Sequence, residues 1–461
     1  MFVTADLQLH SKFSRAVSRD MVIPQIASWA ARKGIGLVAT GDWTHPLWMR
    51  EIQENLVEDG SGLLKLKPEI ERDNTGIPKT NQSTPVPRFL LATEVSCIYS
   101  QSGKGRRIHT LVWVPSLSSA LRINQEMTKR GCNLMSDGRP IIGLTSIALA
   151  ELVLSVEPKA LIIPAHAWTP WFSVYGSMSG FDSLDEAFGP FAKHIRAVET
   201  GLSSSPSMNW RISELDNRSI VSFSDAHSGR KLGREATVFD IPGGKLSYDA
   251  IANAINGNTK NRIAYTIEFY PEEGKYHYTG HRACNIRWGP EETKTKGTTC
   301  PVCGKPLTQG VLQRVEELAG RSEESLGLET VPMTEPYEFS EGVRMTRSTT
   351  YPRRPPFVML VPLIEIISEA VGSPVASPKT QTPYFQLTDM LGGEFSVLLH
   401  SSASDIAKLA GERVAHGVSK VRTGDIVIDP GYDGVFGVVN IWKKGDGEKL
   451  LDDGKEQLSI F

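Results

Sequence analysis

Side chains of metal-ligand type recur along this chain at or inside apolar, strand-like runs. His10 follows residues 2–9, Asp42 and His45 follow 35–40, Glu94 follows 89–93, His166 follows 160–164, and Asp225 and His227 follow 219–223, while His109 lies within 107–114. Imidazoles mixed with carboxylates are the donor set that first-row divalent cations favour. Taken singly, each is an ordinary hydrogen-bonded polar group at a strand end. Delivery of such groups by six separate runs argues instead for one shared pocket. The expectation is a site for two or three divalent ions (Zn, Mg or Mn), with Glu94, Asp225 and His227 as its catalytic members. Such a site suits phosphoester hydrolysis, in which one ion acidifies a water and another stabilises the leaving oxygen. Asp42 and His45, three positions apart, are both counted in this donor set.

A second donor set is more compact. His281-Arg-Ala-Cys284 precedes Cys300-Pro-Val-Cys303 and Gly304, the pattern of a zinc knuckle with four protein ligands. A closed site of that kind has no open coordination position, so its expected role is structural. Five cysteines in 461 residues make no disulfide framework, and Cys97 and Cys132 read as ordinary thiols.

The first donor set needs strands that end together. Ile23, Ile26, Ala27 and Ala30 fall at helical spacing within residues 21–32, with Gly34 to cap, between the runs 2–9 and 35–40. This strand, helix, strand rhythm predicts a βαβ unit, and so a parallel sheet or barrel with ligands on its C-terminal rim. The expected architecture is α/β: a barrel over 1–265, a small zinc-binding module over 266–330, and an α+β C-terminal DNA-binding domain over 331–461. Residues 59–88, rich in Gly, Pro, Asn and Thr, read as a mobile insertion on the rim. Apolar residues 357–371 predict one buried helix and 403–421 a second, with Gly424 after it. Residues 425–428 and 435–442 flank Pro430-Gly-Tyr-Asp-Gly434 as a hairpin.

With 40% hydrophobic and 22% charged residues and a net charge of −2, the composition is that of an ordinary globular chain without a membrane span. Met1-Phe-Val-Thr-Ala-Asp6 reads as a strand rather than a signal core, so a cytoplasmic, nucleoid-associated location is expected. Basic charge is local. Seven Lys and Arg stand against Glu291 and Glu292 within 275–314, and Arg344, Arg347, Arg353 and Arg354 crowd 340–356.

Asp6-Leu-Gln-Leu-His10, Gly41-Asp-Trp-Thr-His45, Thr93-Glu94, Ile108-His109, Pro164-Ala-His166 and Ser224-Asp-Ala-His227 resemble the ordered motifs of the PHP superfamily of metallophosphoesterases. Ala167-Trp-Thr-Pro-Trp171, Gly180-Phe-Asp-Ser183, Met208-Asn-Trp210, Leu232-Gly-Arg-Glu-Ala236 and the cysteine module extend the likeness over nearly the whole chain, and are similar to the endonuclease Q family. That resemblance implies a distorted (β/α)7 barrel with a trinuclear metal site. It also implies nicking of DNA on the 5′ side of deaminated bases (hypoxanthine, uracil, xanthine) or abasic sites. One position departs from the pattern. PHP enzymes open with His-x-His, whereas Gln8 stands first here, and an amide oxygen is a poor zinc ligand. A less tightly held ion, or help from Asp6, is therefore expected.

Damaged DNA as a partner calls for groups that hold phosphates and expose a base. Trp168, Trp171, Phe172 and Tyr175 follow His166 directly and could stack on an extruded base, with core packing the competing role for each ring. Lys231 and Arg234 are candidate phosphate contacts, or plain surface charge. Gln457, Leu458, Ile460 and Phe461 look like the peptide by which bacterial proteins dock into a sliding clamp, carried on a polar tail. Two other readings stand beside the nuclease. A PHP-type phosphatase acting on a small phosphomonoester leaves the cysteine module, the Arg strap and the tail unexplained, and a non-catalytic DNA or clamp adaptor has only Gln8 in its favour.

Overall fold

The computed structural model describes residues 1–73, 86–258, 260–332 and 335–443. The clamp-like tail, 457–461, lies outside them, as does part of the 59–88 insertion. In the described part of that insertion, Leu64–Leu66 pairs antiparallel with Leu56–Glu58 and the helix Pro68–Asp73 follows, so this stretch is folded against the sheet edge rather than looped.

The predicted first helix is present as Ile23–Lys33. Pro24 sits in its first turn, where a missing N–H costs nothing, and Gly34 ends it at φ 86°. It joins Phe2–Asp6 to Leu37–Ala39, which pair in parallel, and Leu37–Ala39 pairs in parallel with Arg88–Gln101. Beyond that point the sheet is mixed, not parallel as the βαβ rhythm predicts. Arg88–Gln101 and Lys104–Val114 are joined by Ser102 and Gly103 at φ 52° and 75°, a two-residue turn that returns the chain antiparallel. Lys104–Val114 then pairs antiparallel with Leu161–Pro164, and Phe2–Asp6 pairs antiparallel with Ala236–Asp240 on its other edge. Ala197–Glu199 and Ser219–Val221 form a separate parallel pair. Two links tie that pair to the larger sheet: the Ala167 N–H donates to the Glu199 carbonyl, and Leu9 and Ala226 form a parallel bridge.

The last third of the chain shares this body. Phe357–Met359 pairs in parallel with Arg262–Glu268 and extends the same sheet, and one apolar core runs from Val3 to Trp442. Among the described residues only Trp288, Cys300 and Leu307, in the cysteine module, form a core of their own. The helix predicted over 357–371 is instead a strand and then the helix Leu363–Val371, because Pro362 at the N-cap cannot continue a helix from before it. The helix predicted over 403–421 is two, Ala403–Ala410 and Glu412–Thr423, split at Gly411 with φ 87°. Two further helices, Pro378–Met390 and Glu394–Leu399, escape the apolar periodicity. They help dock this third on the first helix through a buried ion pair. Lys33 Nζ and Glu394 Oε2 are 2.6 Å apart, with the side chains 2% and 4% exposed. The Tyr384 hydroxyl (2.7 Å) and the Leu363 N–H (3.0 Å) donate to the same carboxylate. No helix of the described residues is long and apolar enough to cross a membrane.

Candidate active site

Strand register brings the first ligands together. Glu94 lies opposite Leu111 and His109 opposite Ser96. Glu94 and His109 are therefore diagonal neighbours on one face, with Oε1 and Nδ1 2.5 Å apart. His166 follows the next strand, Leu161–Pro164, and its Nε2 is 3.1 Å from His109 Nδ1 and 3.4 Å from Glu94 Oε1. On the other side, the bridge between Leu9 and Ala226 brings His10 beside Asp225 and His227. His10 Nε2 is 3.1 Å from Glu94 Oε2 and 3.2 Å from Asp225 Oδ1. Two donor groups result: His10, Asp225 and His227, and Glu94, His109 and His166, each with its ligand atoms within 4.8 Å of one another. Glu94 turns one carboxylate oxygen towards each group.

Burial alone would raise the Glu94 pKa, but His109 and Arg139 outweigh it and hold the carboxylate well below its usual range. Asp225 behaves likewise: burial opposes, the His10 hydrogen bond and charge prevail, and the pKa falls to about 2. Burial pulls His109 down to about 4. Ionised Glu94 and Asp225 and a neutral His109 are in the protonation states that metal ligation requires, whereas His10 would have to release a proton to ligate. Gln8 Oε1 is buried with no hydrogen-bond partner among the described residues, while Gln8 Nε2 donates to Glu94 Oε2 at 2.9 Å. The donor set fits divalent ions.

Asp42 and His45 belong to neither group. Asp42 Oδ1 is 3.0 Å from His10 Nδ1, and Oδ2 accepts from the Ser11 N–H (2.6 Å), the Ser11 hydroxyl (2.7 Å) and the Ser14 hydroxyl (2.9 Å). With its oxygens so engaged, Asp42 fixes the ring of His10. Burial would lower the His10 pKa, but Asp42 first, then Asp225 and Glu94, raise it well above its ordinary value. His45 stacks on Phe13, ring centroids 4.5 Å apart. Asp6, fully buried, accepts from the Ser224 N–H (3.0 Å), the Ser224 hydroxyl (2.5 Å) and the Gly233 N–H (2.9 Å), and so anchors 224–233 rather than assisting Gln8.

Asp42, His166 and Asp225 all carry positive φ, 44°, 29° and 47°. For residues with a Cβ this costs ~1–2 kcal/mol each, so the surrounding packing imposes the conformation. Gly201 shows how tight that packing is, since a Cβ there would stand 2.3 Å from the His166 Cβ.

Three supporting residues are absent from the sequence-based set. Glu199 ends the strand Ala197–Glu199 and accepts the His166 N–H at 2.7 Å, a strand-end carboxylate that follows the same rule as the others. Ser173 Oγ is 3.1 Å from His166 Nδ1. Arg139, in a turn without periodic signal, brings its guanidinium to 3.5 Å from Glu94 Oε1.

The proposed DNA contacts divide. Trp168 is fully buried, donates from Nε1 to Asn209 Oδ1 at 2.8 Å and stacks on the buried Tyr175 at 4.7 Å. Both rings are core, so of the two roles open to them packing is the one they fill. Trp171 and Phe172 are partly exposed, and the Phe172 ring lies 4.8 Å from that of His109. Lys231 pairs with Glu365 at 3.0 Å and Arg234 donates to the Ser224 carbonyl at 2.9 Å, so both have partners inside the protein.

In the second donor set, His281, Cys284, Cys300 and Cys303 offer ligand atoms within 4.8 Å of one another. The antiparallel strands Thr279–His281 and Ile286–Trp288 supply one side, and the turn that ends at Gly304, φ 71°, the other. Desolvation works against ionisation of Cys300, but the Cys303 N–H, the His281 side chain and the Val302 N–H prevail and bring its pKa to about 6, a thiolate suited to zinc.

Residues 362–425 match the MJ0043 C-terminal domain family. MJ0043 of Methanocaldococcus jannaschii is 31% identical over 281 residues, 60% of this chain, and the match spans only 31% of that protein. YqxK of Bacillus subtilis is 28% identical over 451 residues, 95% of this chain and 99% of that protein. The crystal structure of the lesion-specific endonuclease PfuEndoQ from Pyrococcus furiosus superposes with a TM-score of 0.77 at 29% identity, covering 98% of this chain and 99% of that one. Endonuclease Q in complex with a 27-mer duplex bearing an abasic lesion superposes at 0.76 with 30% identity, over 96% of this chain and 98% of that one. At that identity and coverage, and with this shared architecture, the chain belongs to the endonuclease Q family.

Proposed function

We propose that this chain is a metal-dependent DNA repair endonuclease of the nucleoid that hydrolyses the phosphodiester 5′ to a deaminated base or an abasic site. The observation that carries the reading is Glu94, whose two oxygens face two separate donor groups. Support comes from an end-to-end likeness to an enzyme solved on lesion-bearing DNA. Divalent ions held by these groups would supply hydroxide near neutral pH and neutralise charge on the leaving oxygen.

The residues divide the remaining work. Asp42 holds His10 Nδ1 and so aims Nε2 inward. Glu199 and Ser173 hold His166 from the backbone and ring sides. Arg139, with 24% of its side chain exposed, is the fixed cation that meets the scissile phosphate. Trp171 and Phe172 receive the extruded base. These parts sit on what we read as a distorted seven-stranded barrel over 1–265. Residues 266–330 serve as a zinc-stiffened module on the DNA backbone, and 457–461 as a clamp-docking peptide.

The test is incubation with a duplex carrying one uracil, hypoxanthine or abasic site, with Mg²⁺, Mn²⁺ or Zn²⁺. A nick 5′ to the lesion is expected. Phosphate release from small esters without nicking would favour the phosphatase, and binding without cleavage the adaptor.

A further inference from the structure

Phe436 is the most exposed large hydrophobic side chain among the described residues, at 70%. It sits in the hairpin formed by Val427–Asp429 and Val438–Asn440, beside Val435 and Val438, exposed at 41% and 48%. Its support is rigid. The Gly431 and Gly437 N–H groups donate to the carbonyls of Glu272 and Glu273, and the Gly434 N–H donates to that of Lys275. A Cβ at 437 would stand 2.1 Å from the Glu272 carbonyl oxygen, so glycine is what lets the hairpin lie this close.

A line of rings and charge leads from Phe436 to the candidate active site. Lys275 Nζ lies 5.6 Å from the ring centroids of both Phe436 and Tyr276. Tyr276 packs edge-on against Trp171 at 5.4 Å, and Phe172, next in the chain, packs against His109 at 4.8 Å. Aromatic faces interleaved with a cation bind nucleic acid by stacking on bases while meeting phosphates. An apolar peptide would cover Phe436 but leave the Lys275 ammonium unpaired, whereas a nucleic acid brings base and phosphate together.

We propose that this hairpin enters the lesion-bearing duplex, Phe436 taking the stacking place of a displaced base and Lys275 meeting the adjacent phosphate. The inference rests on the nuclease reading and carries its DNA surface from the cleft to the hairpin. It is tested on the full, zinc-replete chain with a duplex holding a tetrahydrofuran abasic site, a neighbouring 2-aminopurine and a phosphorothioate at the bond 5′ to the site. Wild type is expected to lower the 2-aminopurine emission on binding, as the ring stacks on it. Phe436→Ala is expected to bind about tenfold more weakly and to lose that fall, and Phe436→Trp to restore both, with melting temperatures alike in all three. Phe436→Ala binding and reporting as wild type does would overturn the inference and leave the nuclease standing. Wild type leaving the same duplex without the phosphorothioate uncut in Mn²⁺ would bring down both.

Discussion

His10, Glu94, His109, His166, Asp225 and His227 are spread along a long stretch of chain, whereas His281 and Cys303, the outer members of the cysteine set, are only 22 positions apart. The first set is held by what lies behind it. Asp42 grips His10, Glu199 grips the His166 backbone, and one continuous core backs the strands. Among the described residues, the second has a core of Trp288, Cys300 and Leu307 alone, with polar ties from Arg282, Arg287 and Thr308 to Asp429 and Asp433. On the metal reading of both sets, the strand-end site would be preformed for its ions, while the cysteine module would need its ion to hold its fold, since so small a core cannot offset the entropy of ordering the chain.

Removing zinc separates the two most sharply. Cys300→Ser, or chelation of the wild type, is expected to strip hydrogen-exchange protection from residues 276–310, a loss on the order of 10 kcal/mol of metal-linked folding energy. The main thermal transition should stay in place, and a shift of the whole transition would erase the distinction. Glu94→Ala tests the preformed site from the other direction. Loss of a partner behind a ligand typically costs ~10–100-fold, the range expected for Asp42→Asn, so loss of Glu94 itself is expected to cut nicking by roughly 10³-fold. Glu394→Ala leaves Lys33 buried and unpaired, and is expected to lower the stability of the large core by ~3–5 kcal/mol in denaturant titration, with zinc content unaltered.

The smallest effect is a pH dependence. Burial raises the Glu268 pKa to about 7, against the hydrogen bonds from Ser222 and Thr266. The folded state therefore keeps a proton that the unfolded chain has already lost between the ordinary carboxylate value and about 7, and this group's contribution to stability falls as pH rises through that window. Glu268→Gln is expected to melt progressively higher than wild type from pH 5 to pH 8, and a constant difference would contradict it.

What the chain discloses before folding follows from locality. An apolar run ended by a ligand is a local pattern, so the strand-end donors stand out, and Glu199 obeys the same rule. The hydrogen bonds from Ser11 and Ser14 that occupy Asp42 are not visible in its spacing from His45. Arg139 reaches Glu94 across 45 positions through a turn with no periodicity to betray it. The antiparallel hairpin and the break between the two helices near residue 411 do carry signals, Ser102-Gly103 and Gly411, but a broad apolar pattern overrides single turn residues. Trp168 looks like its neighbour Trp171, and only the fold decides that one is core and the other partly exposed.

The central claim is that Glu94 stands between two ions. Anomalous diffraction at the manganese edge, from crystals soaked in Mn²⁺, addresses it directly. The account predicts one peak beside His10, Asp225 and His227 and another beside His109 and His166, with Glu94 oxygens in contact with both. Metal found only at the cysteine module, with no peak touching Glu94, would contradict it.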